Sequence, residues 1–383
     1  MNPRPFLSHK REDKDAVIAL KQELAAFGAG GWRDLDDLLP GECSTPGFED
    51  AIQRVTGGFI WYGTKDAAES QYINEVELPA ALDRKRKDPN FPLVPVFVDG
   101  DREGLLSTVE PFLKIEDFEL FKECNGEVRQ DEPLSQFHRG IAKRYVRGAI
   151  MRSDQTRFEV AATALAEPHG SHDLVLDWRH LIDETDREIT NEAARLIQEV
   201  LVELRSAFQA KTRFPEISLD LNVPLPIAVL LGYEWRVTSQ VRLSVNQRTR
   251  SDLMIVSGDG PTISPGNDPR ILDLPDDGPT VFVVSTTDTG ISAAAETFAR
   301  GAKAGQILSF EESGPLTSDG IRGLARAVAD AIRSNQDKPH PYLLVAGPAS
   351  LATLIGAASN ANGPVRVPTW NGTRYVDGLI VGK

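Results

Sequence analysis

The sequence predicts an α/β protein in two parts: a parallel sheet with helices on both faces, then a longer region made of a duplicated strand–helix unit. Three observations predict it. Short apolar runs alternate with amphipathic stretches through the first 150 residues, the pattern of strands joined by crossover helices. A strand followed by Pro-x3-Ala-x3-Gly occurs twice, about 124 residues apart. At 383 residues the chain is too long for one ordinary core.

Taken in order, Pro5-Phe6-Leu7 reads as a first strand and is followed by the polar Ser8-His9-Lys10-Arg11. Asp13 is placed to cap a helix whose apolar positions Val17, Leu20, Leu24 and Phe27 recur at helical spacing, and Gly28 ends it. Gly31-Trp32 opens a second brief strand, Gly58–Tyr62 is a third and Leu93–Val98 a fourth. Helical patterns fill about 47–56 and 70–84, and an amphipathic segment over about 132–150 leads into a linker near Ser153. Beyond it, the strand Ile217–Val223 runs into Pro224, Ala228 and Gly232, and the strand Tyr342–Gly347 into Pro348, Ala352 and Gly356. Proline suits a first helical turn, and Ala and Gly four apart share one face, expected to sit close on the sheet. Asp252–Val256 is echoed by Asp377–Val381 at nearly the same offset, and a Gly-, Pro- and Asp-rich stretch over about 258–280 separates the copies.

Composition narrows the function. Hydrophobic residues at 41% and charged residues at 26% are those of a soluble globular chain. No apolar run approaches the roughly 20 residues a membrane span needs, and Met1 leads directly into the first strand with no room for a signal peptide. Cys43 and Cys124, the only cysteines, form neither a disulfide framework nor a metal set, so no metal is expected and a cytoplasmic location is. The net charge of −14 disfavours a nucleic-acid duplex as partner but not a small nucleotide, which needs only local donors.

Ser8, His9, Lys10 and Arg11 fall at the carboxyl end of the first strand, where open parallel sheets bind ligands, and the two cations there suit a pyrophosphate. Further motifs accompany them: Phe6 and Glu12-Asp13, Trp32-x-Asp34, Leu38-Leu39-Pro40-Gly41-Glu42, Phe48–Ile52, Ser70-x-Tyr72, Glu77-Leu78-x-Ala80-Ala81-Leu82 and Leu93–Val96. In this order they resemble the TIR domain, with Leu38–Glu42 as its BB loop. The resemblance implies a flavodoxin-like domain over 1–150, NAD⁺ as substrate with no bound cofactor, and Glu77 as the catalytic carboxylate. Phe6, Ser8, His9, Lys10, Arg11, Trp32, Asp34 and Tyr72 are its implied substrate contacts, with Phe6, Trp32 and Tyr72 rival stacking rings. Losing nicotinamide leaves positive charge on the ribose, which a carboxylate stabilises. Glu75 competes with Glu77 but points to another helical face, and the motif register selects Glu77. Where NAD⁺-cleaving relatives carry Trp four residues before the glutamate, this chain has Ile73. Cys43 lies in the loop without a neighbouring base.

The repeat, with Leu231–Trp235 and the closing Tyr375-x3-Leu379-Ile380-Val381, resembles the SAVED domain of cyclic-oligonucleotide-based antiphage signalling. That implies two fused Rossmann-like halves over 155–383 (about 155–260 and 280–383) and a cyclic oligonucleotide, cyclic tri-adenylate-like, as activator. Each half offers a strand end and a helix N-terminus suited to an anion. Lys211, Arg213, Trp235, Arg236, Ser285, Thr286, Thr287 and Pro348 are the candidate contacts. No G-x-G-x-x-G follows a strand there, which disfavours a second NAD site. Together the two resemblances imply an NAD⁺ glycohydrolase that self-associates head to tail when the activator binds. A TIR scaffold that recruits partners without turnover, and a cyclase making a cyclic ADP-ribose signal, remain the alternatives.

Overall fold

A computed structural model describes the chain except residues 2, 33–43, 168–169, 184–186, 237–239, 249–252, 261–267, 287–290, 313–315, 336–339, 360–361 and 383. The expected contacts Asp34 and Thr287, the loop Leu38–Glu42 and Cys43 lie outside the described residues. The chain forms two compact units, Met1–Asp154 with Asp173–Asp177, and Gln155–His172 with Trp178–Lys383.

In the first unit, β1 (Pro5–Ser8), β2 (Gly58–Gly63), β3 (Leu93–Phe97) and β4 (Glu127–Val128) lie side by side in that order, all parallel. The strand expected at Gly31-Trp32 is a single bridge: Trp32 pairs with Phe6 on the free side of β1, accepting from Leu7 N at 3.0 Å and donating to Pro5 O at 2.8 Å. Chain order across the sheet is therefore second, first, third, fourth, fifth, the doubly wound arrangement whose ligand crevice opens at the carboxyl end of the first strand. Helix α1 (Lys14–Ala26) buries Val17, Leu20 and Leu24 as the spacing requires. Gly28 follows it at φ +100°, a conformation L side chains avoid, and a Cβ there would lie 3.0 Å from Leu176 and 3.2 Å from Leu174 of β6 (Leu174–Asp177). Asp173 also accepts from the Met1 ammonium at 2.6 Å. Nothing in the linear pattern marks this distant segment as part of the first unit.

Helix α2 (Ser44–Asp50) continues into a π-helical turn, Ala51–Val55. A second π turn, Ile73–Glu77, runs into α3 (Leu78–Lys87). Helices α4 (Arg102–Val109) and α5 (Ile115–Glu123), absent from the sequence reading, precede β4, and α6 (Leu134–Arg152) closes the unit.

The second unit shows the duplication directly. In its first half β5 (Arg157–Thr163), β7 (Glu216–Asn222) and β8 (Arg242–Arg248) are parallel and β9 (Leu253–Ser257) is antiparallel. In its second half β11 (Thr280–Ser285), β13 (Tyr342–Ala346) and β14 (Val365–Trp370) are parallel and β15 (Tyr375–Val381) antiparallel. The strands pair in equivalent register: Thr163 opposite Asn222 in one, Ser285 opposite Ala346 in the other. Strand β12 (Gln306–Glu311) flanks β11 and carries the edge strand β10 (Arg270–Asp273), so part of the expected linker is a strand. Its Arg-Ile-Leu-Asp core is too short to show through a Pro-, Gly- and Asp-rich setting.

Helices α7 (Asn191–Lys211), α8 (Leu225–Glu234), α9 (Ile291–Gly301), α10 (Ser318–Ser334) and α11 (Ala349–Ala358) cover the sheets of the second unit. The repeated small residues serve a contact different from the one expected. A Cβ on Gly232 would lie 1.8 Å from Thr353 O, and one on Gly356 would lie 2.0 Å from Val229 O. The glycines press α8 and α11 together backbone to backbone rather than onto a sheet, and each contact is the other with the copies exchanged. Ala228 and Ala352 are fully buried beside them.

Candidate functional site

Two carboxyl edges carry the candidate chemistry. On the first sheet, β1 ends at Ser8, whose hydroxyl donates to Glu77 Oε2 at 2.6 Å. Both residues are buried, Ser8 at 1% and Glu77 at 7% exposure. A buried carboxylate needs donors to offset its lost hydration, and the serine is one. Glu75 is exposed and accepts from Gln71 Nε2 at 3.0 Å, so of the two glutamates only Glu77 is buried at this edge. His9 Nδ1 donates to Leu7 O at 2.9 Å, Lys10 is half-buried and Arg11 exposed, all on the loop leaving β1.

Sequence reasoning missed Thr64 on this edge and expected Asp13 as a helix cap. Thr64, just past β2, donates to Asp13 Oδ2 at 2.8 Å. Asp13 makes no side-chain cap on α1; burial pushes its carboxyl above the ordinary range, while the Thr64 bond works the other way. The signal was available: Thr64 follows a buried strand at the same edge as Ser8. Deeper in, the Tyr62 hydroxyl and His138 Nε2 are 3.0 Å apart. Burial holds the His138 imidazolium down to about 4 and, with Asp13 adding to it, pushes the Tyr62 phenol upward.

The ring contacts need correction. Phe6 lies between Trp32, stacked at 4.7 Å, and Phe59, stacked at 5.5 Å, with Phe48 edge-on. Phe6 is 2% and Trp32 4% exposed, so both are core residues with their faces covered, because β1 is an interior strand. Tyr72 is partly buried, with Phe48 edge-on at 5.7 Å, and is the one of the three aromatic candidates left at the rim.

In the second unit, Ser285, Thr286 and Pro348 come together at the carboxyl edge of β11 and β13, where Thr286 N donates to Ala346 O at 3.0 Å. The first half repeats this, Ala164 N donating to Asn222 O at 2.9 Å beside Pro224. Ser350, in the first turn of α11, donates to Gln247 Oε1 near the carboxyl end of β8 at 3.1 Å, so the two halves' carboxyl edges adjoin. Thr163, Ala164, Asn222 and Pro224 thus belong to the same composite edge. The repeat offset of 124 maps Pro348 onto Pro224 and Ala346 onto Asn222, whereas Ser285 corresponds to Thr163 only at an offset of 122.

The other candidates lie elsewhere. Lys211 ends α7 and Arg213 precedes β7, so chain direction places both at the amino edge, and the Arg213 guanidinium sits 5.1 Å from the Phe214 ring. Helix α8 runs back from the carboxyl edge, which carries Trp235 and Arg236 to the amino side as well. Trp235 is fully buried, donating to Leu201 O at 2.8 Å, and Arg236 folds over Tyr233 at 4.3 Å. The structure thus places these four away from the composite edge that carries Ser285, Thr286 and Pro348, with Trp235 in the core.

Among the described residues no group of three or more His, Cys, Asp and Glu side chains is arranged to hold a metal, and no helix is long and apolar enough to cross a membrane.

Residues 6–127 match the family model of the TIR domain. No curated protein matches the chain. Among solved structures the chain is similar to the Acinetobacter baumannii Cap4 SAVED/CARF-domain containing receptor with the cyclic trinucleotide 2'3'3'-cAAA, at 14% identity and TM-score 0.50, over 89% of this chain and 86% of that one. It is similar to the same receptor with 3'3'3'-cAAA at 13% identity and TM-score 0.51, over 97% of this chain and 98% of that one. At such identities the likeness is one of fold. Residues 6–127 are thus a TIR domain, in a chain whose fold is similar to that of SAVED/CARF-domain receptors.

Proposed function

We propose that the chain is an NAD⁺ glycohydrolase of cyclic-oligonucleotide-based antiphage signalling, switched on when a cyclic trinucleotide binds the second unit. The observation that carries the enzymatic half is the buried Glu77 carboxylate, held by Ser8 at the carboxyl edge of a doubly wound sheet. Cleaving the nicotinamide–ribose bond builds positive charge on the sugar while nicotinamide leaves as a neutral ring. A carboxylate kept dry and oriented stabilises that charge most as it develops, and no strong acid is needed. Lys10 and Arg11, on the loop after Ser8, supply cations for the substrate's pyrophosphate.

The sensing half is supported by the composite edge of hydroxyls, free strand ends and proline-started helices, and by fold neighbours whose structures hold cyclic trinucleotides. The two halves are similar without being identical, so a ligand seated across them need not be twofold symmetric. In this reading the ligand favours an assembled state over free chains, by no more than its differential affinity for the two. The unequal surfaces of a two-unit chain suit head-to-tail contacts, which propagate unless the rotation closes.

Purified chain is incubated with NAD⁺ and a panel of cyclic di-, tri- and tetranucleotides while free nicotinamide and light scattering are followed together. Nicotinamide release with rising scattering, triggered by a cyclic trinucleotide, is the expected result. Absence of nicotinamide release with every ring would overturn the enzymatic reading, and full-rate release by a monomer would overturn the assembly step.

A further inference from the structure

The turn that ends in Glu77 departs from the α-helix, and a residue two positions on explains why. Ile73–Glu77 is a π turn, closed by the Leu78 N–H bonding back to Ile73 O, five residues earlier. Pro79 follows in the first turn of α3, within one helical run from Ile73 to Lys87. Inside a regular α-helix its ring would clash with the carbonyl of Glu75, four residues earlier, and its missing N–H would leave that carbonyl unbonded. Widening the preceding turn relieves the clash without breaking the helix. Such one-turn widenings occur often at functional sites.

A second residue fixes the widened turn from the other end. Asn74 is fully buried, and its Nδ2 donates to Ala68 O at 2.6 Å while its own N–H donates to Ser70 O at 3.1 Å. One side chain thereby ties the π turn to the helical turn Lys65–Ala68 that precedes it. Its Oδ1 is buried with no hydrogen-bond partner, so the amide's orientation rests on the single bond to Ala68. Keeping a buried amide with one unsatisfied atom costs stability, which an apolar residue of the same size would avoid.

We infer that Pro79 and Asn74 are positioning residues, holding Glu77 in the orientation that meets Ser8 by enforcing a widened turn. The inference rests on the enzymatic reading of Glu77. Pro79 prevents the turn from tightening into the α register, and Asn74 sets where the widening falls. Neither touches the reacting atoms, yet small misplacements of a catalytic group can cost large factors in rate.

The test uses the full chain activated by a cyclic trinucleotide. Pro79→Ala restores the missing N–H and permits an α register, and Asn74→Leu removes the tie at similar volume. Both are expected to lower kcat for nicotinamide release about tenfold or more with KM within about threefold. Pro79→Ala should also leave the melting temperature unchanged or raised, since alanine favours helix; a role in folding alone would lower it and spare kcat. Hydrogen exchange over residues 73–82 reads the register without turnover, and Pro79→Ala should raise protection there. Wild-type kcat in both variants, or unchanged exchange in Pro79→Ala, overturns the inference. Failure of the wild-type chain to release nicotinamide, with exchange altered as expected, would instead sink the enzymatic reading and the catalytic role with it, leaving only the register.

Discussion

Ser8 and Glu77 meet across 69 residues of sequence, the serine hydroxyl donating to the carboxylate at 2.6 Å with both side chains buried. Glu77→Gln keeps the size of this group and removes its charge. Nicotinamide release should fall by about 10²-fold or more, as when other groups that stabilise a developing charge are removed. Glu75→Gln should leave the rate unchanged, because Glu75 faces solvent and Gln71. Both rates are read with ligand binding followed in parallel. Equal activity in both variants would remove Glu77 from the mechanism.

The contact between α8 and α11 yields a stability prediction. A methyl on Gly232 or Gly356 would overlap backbone oxygen, which cannot rotate away as a side chain can. Gly232→Ala and Gly356→Ala should each destabilise the full chain by about 1–3 kcal/mol, outweighing alanine's helical advantage of about 1 kcal/mol. The exchange symmetry of the contact predicts similar losses for the two. Gly301→Ala, at a helical glycine with open space around it, should be neutral or stabilising. Urea denaturation of the three variants checks the order.

What was legible follows from which forces are local. Alternating apolar runs mark β1, β2 and β3 because parallel interior strands are buried on both faces, and the 124-residue repeat marks both halves of the second unit. Glu77 is reached from its motif register alone; its burial beside Ser8 depends on a contact 69 residues away that no local pattern shows. The ring assignments failed because an aromatic beside a functional motif looks the same in sequence whether it stacks on a ligand or, like Phe6, on its neighbours. The cations separate from the hydroxyls for a topological reason: chain direction places Arg213 at the far edge from Thr286, which spacing along the sequence does not show. Pro79 was the overlooked signal, since a proline inside a helical pattern asks what the preceding turn does.

His138 supplies a pH dependence. Its folded pKa is held to about 4, chiefly by burial and then by Arg129, against 6.5 for the free side chain. Above pH 6.5 both folded and unfolded chains carry it neutral and its stabilising contribution is whole. As pH falls from about 6.5 toward 4 the unfolded chain takes up the proton first, so stability declines, by roughly 3 kcal/mol for this one group, and then levels. His138→Gln removes the titration while keeping a polar partner for Tyr62. The difference in urea midpoint between pH 7.5 and pH 5 should shrink in that variant; an unchanged difference would assign the acid sensitivity to other groups.

On the proposed function, the carboxyl edge of the second unit separates into residues expected to matter for binding and residues expected not to. Thr286 is half-buried at the end of β11, next to Gly347, and a valine there keeps its shape while deleting the hydroxyl. Losing one hydrogen bond to a ligand costs about 0.5–1.5 kcal/mol, so Thr286→Val should weaken cyclic trinucleotide binding about threefold to tenfold. Arg213→Ala and Lys211→Ala, at the amino edge of β7, should leave affinity within about twofold at moderate salt, where distant charges are screened. Calorimetric titration of the full chain with 3'3'3'-cAAA measures all three. Strong loss on removing Arg213 with none on changing Thr286 would move the ligand to the amino edge, where Arg322 and Arg326 line a cavity of about 380 Å³ beside Trp235.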